Sequence, residues 1–309
     1  MLYMNDIKSF VPDTYATIEE AGKNLHLDEA HIKVYKKIYG IEKIPIASGI
    51  RFIDFIKRPI QDLLDNNQID KSNIKYLIHC HTAKVIVPFG HSLIRQVKDE
   101  MGFKEAITFG TSINNCASTM ASLDLLSHIL EQHGSCKAIL VCGDYAFTHV
   151  LKLIPNTSIL GEGSAAVLLS KQGNKNKLLA ISIKTAGEYA EGIWLSPEKS
   201  RQFESEYADL FSTVIHDAIH KSGLDQDQIK LIIPHNVNLP SWQRVASLMK
   251  FPLGRIYLNN VRKYSHCFGA DIFINYVSIE QQKILKPGDY YVMATVGLGA
   301  VFAAAVFKY

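Results

Sequence analysis

Along the chain, short runs that are apolar at almost every position alternate with longer stretches whose apolar side chains recur every three or four residues. The short runs predict strands over 75–80, 106–109, 137–142, 164–169, 178–184, 229–234, 255–258, 290–295 and 300–307. The longer stretches predict helices over 28–38, 51–66, 89–101, 116–133, 205–222, 240–250 and 270–285. Runs such as AILVC (138–142) and LIIP (231–234) have no polar face, so both sides of their sheet must be covered. Helices are what the chain offers to cover them, and the class expected is α/β.

The pattern also repeats. IDKSNIKYLIHC (69–80) and LDQDQIKLIIPH (224–235) lie 155 residues apart, and each follows a helical stretch, 51–67 (with Pro59 as a kink) and 207–223. At nearly the same offset, KAILVCGDYAF (137–147) echoes YVMATVGLGAV (291–301), an apolar strand running into glycine. Two unlike pairs at one spacing point to a duplicated half, residues 1–170 and 171–309, joined at the polar turn KQGNKNK (171–177).

Composition narrows the function classes. A chain of 309 residues suits two domains. With 47% hydrophobic and 20% charged residues it is an ordinary globular chain, which argues against disorder. The net charge is only +3 and no basic stripe is present, so no nucleic-acid partner is expected. No apolar run approaches the ~20 residues that span a bilayer. MLYMNDIKSFVPD lacks the start of a signal peptide, so the cytoplasm is the expected location.

Five cysteines form an odd set without a CxxC pair, which disfavours disulfides and zinc and leaves room for one reactive thiol. Cys80 and Cys142 belong to apolar strands and read as core, and Cys136 carries no signal. His79 and His81 flank Cys80 without a second ligand cluster, so no metal is expected. Cys116 is different. A short strand enters the turn GTSINN (110–115), and the thiol follows where a helix begins, with Met120, Leu123, Leu126 and Leu130 on its buried face and Gly134 as its stop. A free thiol has a pKa near 8.5, and a helix N-terminus favours the thiolate. A buried structural cysteine is the alternative on local grounds.

His235 lies in PHNVN just past a strand, and His266 lies in KYSHCFGAD just before a helix. The duplication places these loops and Cys116 at equivalent strand ends, so all three can open onto one crevice. A histidine just before a helix tends to stay neutral, and a neutral imidazole can donate to a carbonyl oxygen and steady an enolate. Each histidine alone also reads as a hydrogen-bonded loop residue. GEG (161–163) precedes a strand rather than a helix and fails as a dinucleotide fingerprint, so no cofactor is implied. GLG (297–299) is either an oxyanion hole or a tight hairpin turn.

NNCAS opening a long helix, GEGSAAVLL, PHNVN and the closing KPGDYYVMATVGLGAVFAAAVFKY resemble, in order and spacing, the ketoacyl-acyl-carrier-protein synthase III family of thiolase-fold condensing enzymes. The resemblance runs from about residue 28 to 309. It implies a duplicated αβαβα sandwich, a homodimer, and acyl-CoA or acyl-carrier-protein thioesters as partners. Cys116 would carry the acyl group, and His235 and His266 would bind a malonyl-type thioester for decarboxylative Claisen condensation to a 3-ketoacyl product. The backbone N–H groups of Cys116 and Leu298 would form the oxyanion hole. Asn238, Gly297 and Gly299 would contact the substrate.

The sequence departs from that family in several places. His266 stands where the family has asparagine. Val34 and Ile38 stand where a tryptophan and an arginine often grip coenzyme A, and Pro240 replaces a basic docking residue. The stretch from Cys116 to His235 is also short. A specialised fatty-acyl or secondary-metabolite pathway is therefore expected. The alternatives are an acyltransferase that passes the acyl group to a hydroxyl or amine without decarboxylation, and a non-catalytic carrier-binding member.

Overall fold

The apolar runs assemble into one nine-stranded sheet in a computed structural model that describes all residues except 133–135. The helix stop expected at Gly134 lies outside the described residues. The chain opens with β1 (Tyr3–Phe10), then β2 (Tyr15–Thr17), α1 (Ile18–Asn24), α2 (Glu29–Lys37) and β3 (Lys43–Pro45), which form a small cap. The first half continues through α3 (Phe52–Asn66), β4 (Ile74–Cys80), α4 (Leu93–Met101), β5 (Ile107–Thr111), α5 (Ser118–Glu131) and β6 (Lys137–Gly143). A two-stranded excursion, β7 (Leu153–Ile154) and β8 (Ser158–Ile159), precedes β9 (Ser164–Ser170). After β10 (Lys177–Thr185) come α6 (Pro197–Lys221), β11 (Ile229–Pro234), α7 (Leu239–Leu248), α8 (Asn259–Tyr264), α9 (Asp271–Gln281), β12 (Tyr290–Gly297) and β13 (Val301–Lys308).

The strand order is β11-β12-β13-β10-β1-β9-β6-β4-β5. Read outward from the middle, the two sides are copies. β1 and β10 each pair antiparallel with the last strand of their half, β9 or β13, and that strand pairs antiparallel with β6 or β12. A parallel neighbour follows, β4 or β11. The copies meet at one register pair, Tyr3 opposite Lys177. The 155-residue echo thus maps β4 onto β11, and its companion maps β6 onto β12.

Alternation along each strand sorts side chains between layers. Leu140 of β6 and Met293 of β12 point to the middle, where they share a buried cluster with Met120, Leu123 and Leu126 of α5 and Phe273 and Ile279 of α9. Ile139 and Val141 point outward, under Ile56 and Ile60 of α3 and Val97 of α4. In the second half, Val292 and Phe302 point outward under Phe211 and Ile215 of α6 and Trp242 of α7. With the two halves of the sheet counted separately, the order of layers is helices, half-sheet, helices, half-sheet, helices.

Three expectations are corrected. No strand forms over 255–258. The chain there makes one isolated bridge, Ile232 with Ile256, because a 3₁₀ turn ends at Arg255 and α8 starts at Asn259, leaving no length for a ladder. β1 is an unexpected strand, since Asn5, Asp6 and Lys8 interrupt its apolar run. Asp6 is accommodated by hydrogen bonds from Asn67 Nδ2 and from the Ile7 N–H. α6 starts at Pro197, well before 205, under a Ser196 cap that accepts from the Lys199 N–H.

Candidate active site

Cys116 sits in a 3₁₀ turn, Asn115–Ala117, that leads from β5 into α5, and only 3% of it is exposed. The residue before it, Asn115, has φ +49°, a left-handed conformation that asparagine tolerates better than most residues. Its side-chain amide donates to Leu298 O at 2.5 Å, tying the thiol's turn to the β12–β13 hairpin. That hairpin is the GLG segment, with Gly299 at φ +103°. It lies so close that a Cβ on Gly297 would stand 1.9 Å from Asn114 O. Gly297→Ala is accordingly expected to lower the melting temperature and the rate of Cys116 alkylation together, since the hairpin must withdraw from the thiol's turn. A differential-scanning measurement paired with an alkylation time course checks this.

His266 reaches the thiol from the other half. Ser265 and Phe268 both have φ +54°, so the segment between α8 and α9 doubles back. It is pinned by the Gly161 N–H donating to His266 O at 3.0 Å and by the Ser265 hydroxyl donating to Ile159 O. His266 Nε2 then lies 3.4 Å from Cys116 Sγ, and its Nδ1 lies 2.5 Å from Asp271 Oδ2. Asp271, the first residue of α9, is itself held by the N–H groups of Asn236 (2.6 Å) and Cys267 (2.7 Å). Sequence reading missed this carboxylate. The available signal was an acidic residue opening a helix five positions after the histidine.

The expectation that His266 stays neutral is overturned. Burial opposes its charge, but the carboxylate of Asp271 and the sulfur of Cys116 outweigh burial and raise it from 6.5 to about 10. His235 behaves as expected. It is 2% exposed, ringed by Phe211 and Trp242, and burial, with the His266 charge, holds it well below its ordinary value. Its ring centroid is 5.8 Å from that of His266, and its Nε2 is 3.3 Å from the Tyr207 hydroxyl. Its Nδ1 is buried and has no hydrogen-bond partner.

The remaining candidates divide. Leu298 and both glycines of GLG lie against the Cys116 turn. Asn238 caps α7, accepting from the Ser241 N–H at 2.8 Å and donating to Thr157 O at 3.0 Å, so its side chain is engaged in holding the fold. Glu162 of GEG clasps the cap to the body by accepting the N–H groups of Ala47 and Ala146. Beside the clasp is a cavity of about 360 Å³ between the cap (Leu25, Ile44) and the body (Ala146, Ile159, Leu160). Ala146 and Leu160, which line that space, also belong to one buried cluster with Cys116 and Phe268. Among the described residues, no group of three or more histidine, cysteine or acidic side chains could hold a metal ion.

Comparison with known proteins gives the family and the fold. Residues 113–187 match the model of 3-oxoacyl-[acyl-carrier-protein (ACP)] synthase III, and residues 219–309 match the model of its C-terminal part; the two matches cover more than half of the chain. A beta-ketoacyl-[acyl-carrier-protein] synthase III of Acholeplasma laidlawii is 25% identical over 269 residues, 85% of this chain and 84% of that protein. Two solved structures superpose almost end to end. ChlB3, described as an acyltransferase, gives a TM-score of 0.88 at 16% identity over 99% of this chain and 97% of its own. The 3-oxoacyl-[acyl-carrier-protein] synthase III of Aquifex aeolicus VF5 gives 0.82 at 17% identity over 100% of both chains.

The molecule is therefore an acyltransferase of the thiolase-like class, a duplicated αβαβα sandwich. It belongs to the 3-oxoacyl-[acyl-carrier-protein] synthase III family as a divergent member.

Proposed function

We propose that this protein takes an acyl group from an acyl-CoA or acyl-carrier-protein thioester onto Cys116 and passes it to a hydroxyl or amine. The observation that carries this reading is the buried line from Cys116 Sγ through His266 to Asp271. It is the arrangement of nucleophile, base and orienting carboxylate. The thiolate attacks the thioester carbonyl, the new C–S bond forms, and the old one breaks. The departing thiolate takes the proton from His266 Nε2. With the sulfur acylated, one of the charges holding that proton is gone, and His266 is left as a neutral base. It accepts the acceptor's proton as the oxygen or nitrogen attacks, and the Cys116 thiolate leaves to face an imidazolium again. The N–H groups of Cys116 and Leu298 form the oxyanion hole for both transfers, a role supported by the close docking of the hairpin on the thiol's turn.

ChlB3, an acyltransferase of the same fold, supports a family member working in this way. The synthase III relatives support thioester donors. Exposed Ile38 at the end of α2, where the family resemblance places a coenzyme A-gripping arginine, favours a carrier-bound donor and a specialised pathway. A cytoplasmic homodimer completes the reading. β5 ends the sheet with an open backbone edge, and Val85, Phe89, Ile107 and Ile113 lie exposed nearby, a surface that a second copy would cover.

Decarboxylative condensation is the second reading, favoured by His235. A neutral imidazole beside His266 is a fit donor for the carbonyl of a malonyl-type thioester. Incubating the protein with acyl thioesters, then with either malonyl thioester or a panel of alcohols and amines, separates the two. Acyl transfer without CO2 is the expected result. CO2 with a 3-ketoacyl product would favour condensation, and failure of any acyl group to appear on Cys116 would overturn both. Leu160→Ala is expected to open the wall to the cavity and admit longer acyl chains on Cys116, as intact mass over a chain-length series would show.

A further inference from the structure

Cys116 Sγ has a polar neighbour outside the relay. The Thr82 hydroxyl donates to it at 3.5 Å, from the segment just past β4. That segment is held by a carboxylate from the adjacent strand. Cys80 of β4 is the register partner of Cys142 of β6, and two residues beyond each come Thr82 and Asp144. The Thr82 N–H donates to both Asp144 oxygens at 2.9 Å, and the Ala83 N–H donates to Oδ1 at 3.0 Å. Asp144 is 1% exposed, and burial raises its pKa against these N–H donors. A carboxylate buried at that cost calls for a role, and the Cys116–His266–Asp271 line does not use it.

We propose that Thr82 is a further catalytic residue, its hydroxyl donating to the Cys116 thiolate, and that Asp144 is the positioning residue that fixes it. This rests on the acyl-Cys116 reading above. The sulfur is charged when it attacks and again when it leaves, and uncharged between, so a donor aimed at Sγ stabilises both outer states more than the acyl-enzyme. His266 supplies one donor and Thr82 a second. The other charged group facing the sulfur is Lys84, whose ammonium donates to Ser112 O and whose pKa is lowered by burial, with Cys116 and Asp144 opposing. Its charge is common to every variant below.

The test is the pH–rate profile of Cys116 alkylation by iodoacetamide, read by peptide mass, alongside acyl transfer from an acyl-CoA. Thr82→Val is expected to move the alkylation midpoint up by about one unit and so to slow alkylation about tenfold at pH values below the wild-type midpoint. Thr82→Ser should restore both. Asp144→Asn should slow acyl transfer by itself but add little in a Thr82→Val background, as expected of residues acting through one atom. A Thr82→Val profile matching wild type overturns the proposal, and additive effects of the two substitutions overturn the role of Asp144. If Asp144→Asn does not fold, the valine and serine variants still decide the Thr82 claim. Failure of the underlying reading looks different: wild-type Cys116 would alkylate normally yet never carry an acyl group.

Discussion

Asp271→Asn is expected to slow acyl transfer about 10³–10⁴-fold while leaving Cys116 in place, as loss of the orienting carboxylate does in other nucleophile–base–acid sites. Asp271 Oδ2 receives His266 Nδ1 and the Asn236 N–H, and Oδ1 receives the Cys267 N–H. An asparagine amide must turn its NH2 toward one of those N–H groups whichever way it is flipped. One buried donor is then left unpaired, at about 1–3 kcal/mol. The larger loss is electrostatic. Burial alone would hold His266 low, and the carboxylate is the chief group raising it to about 10. Without it, the proton that Nε2 gives to the departing thiolate is no longer held there.

The same change has a signature in stability. A histidine raised from 6.5 to about 10 contributes stability that is complete below about pH 6.5 and is lost as pH rises through about 10. Melting temperatures of the wild type should therefore fall across that window, and those of Asp271→Asn should fall less. A wild-type profile flat from pH 6.5 to 10 would refute the assignment.

Much of this was legible in the sequence because periodicity is local. AILVC and LIIP could only be strands covered on both faces, and they are. The 155-residue echo is physically the repeated strand order. The polar turn before a helix with a buried face marks Cys116 as the candidate nucleophile. What stayed hidden depends on contacts between distant segments. Asp271 reaches His266 only because Ser265 and Phe268 take left-handed conformations, which neither residue type advertises. Thr82 meets the thiol through the pairing of β4 with β5, which leads into the Cys116 turn, and with β6, which leads to Asp144. The capping role of Asn238 was missed for a different reason. An asparagine two residues before Pro240 at a helix start is a capping signal, and it competes with the substrate-binding role that the family resemblance implies for the same side chain.

The largest single effect is expected from Cys116→Ser. Serine preserves the turn, since Asn115 keeps its left-handed conformation and its bond to Leu298 O. The hydroxyl is a far weaker nucleophile than the thiolate, so acyl-enzyme formation should drop by about 10⁴-fold or more, read as loss of the acyl adduct by intact mass. A second consequence separates a working pair from two residues that merely touch. The sulfur is, after Asp271, the second group raising His266. An uncharged serine withdraws that contribution, so the pH at which the His266 share of stability is lost should move down from about 10 while Asp271 still holds it above 6.5. Melting curves of Cys116→Ser should accordingly begin to fall at lower pH than those of the wild type. Asp271→Asn combined with Cys116→Ser should abolish the dependence over that window. If the serine variant melts with the wild-type pH profile, Cys116 and His266 do not share a charge, and the relay loses its first link.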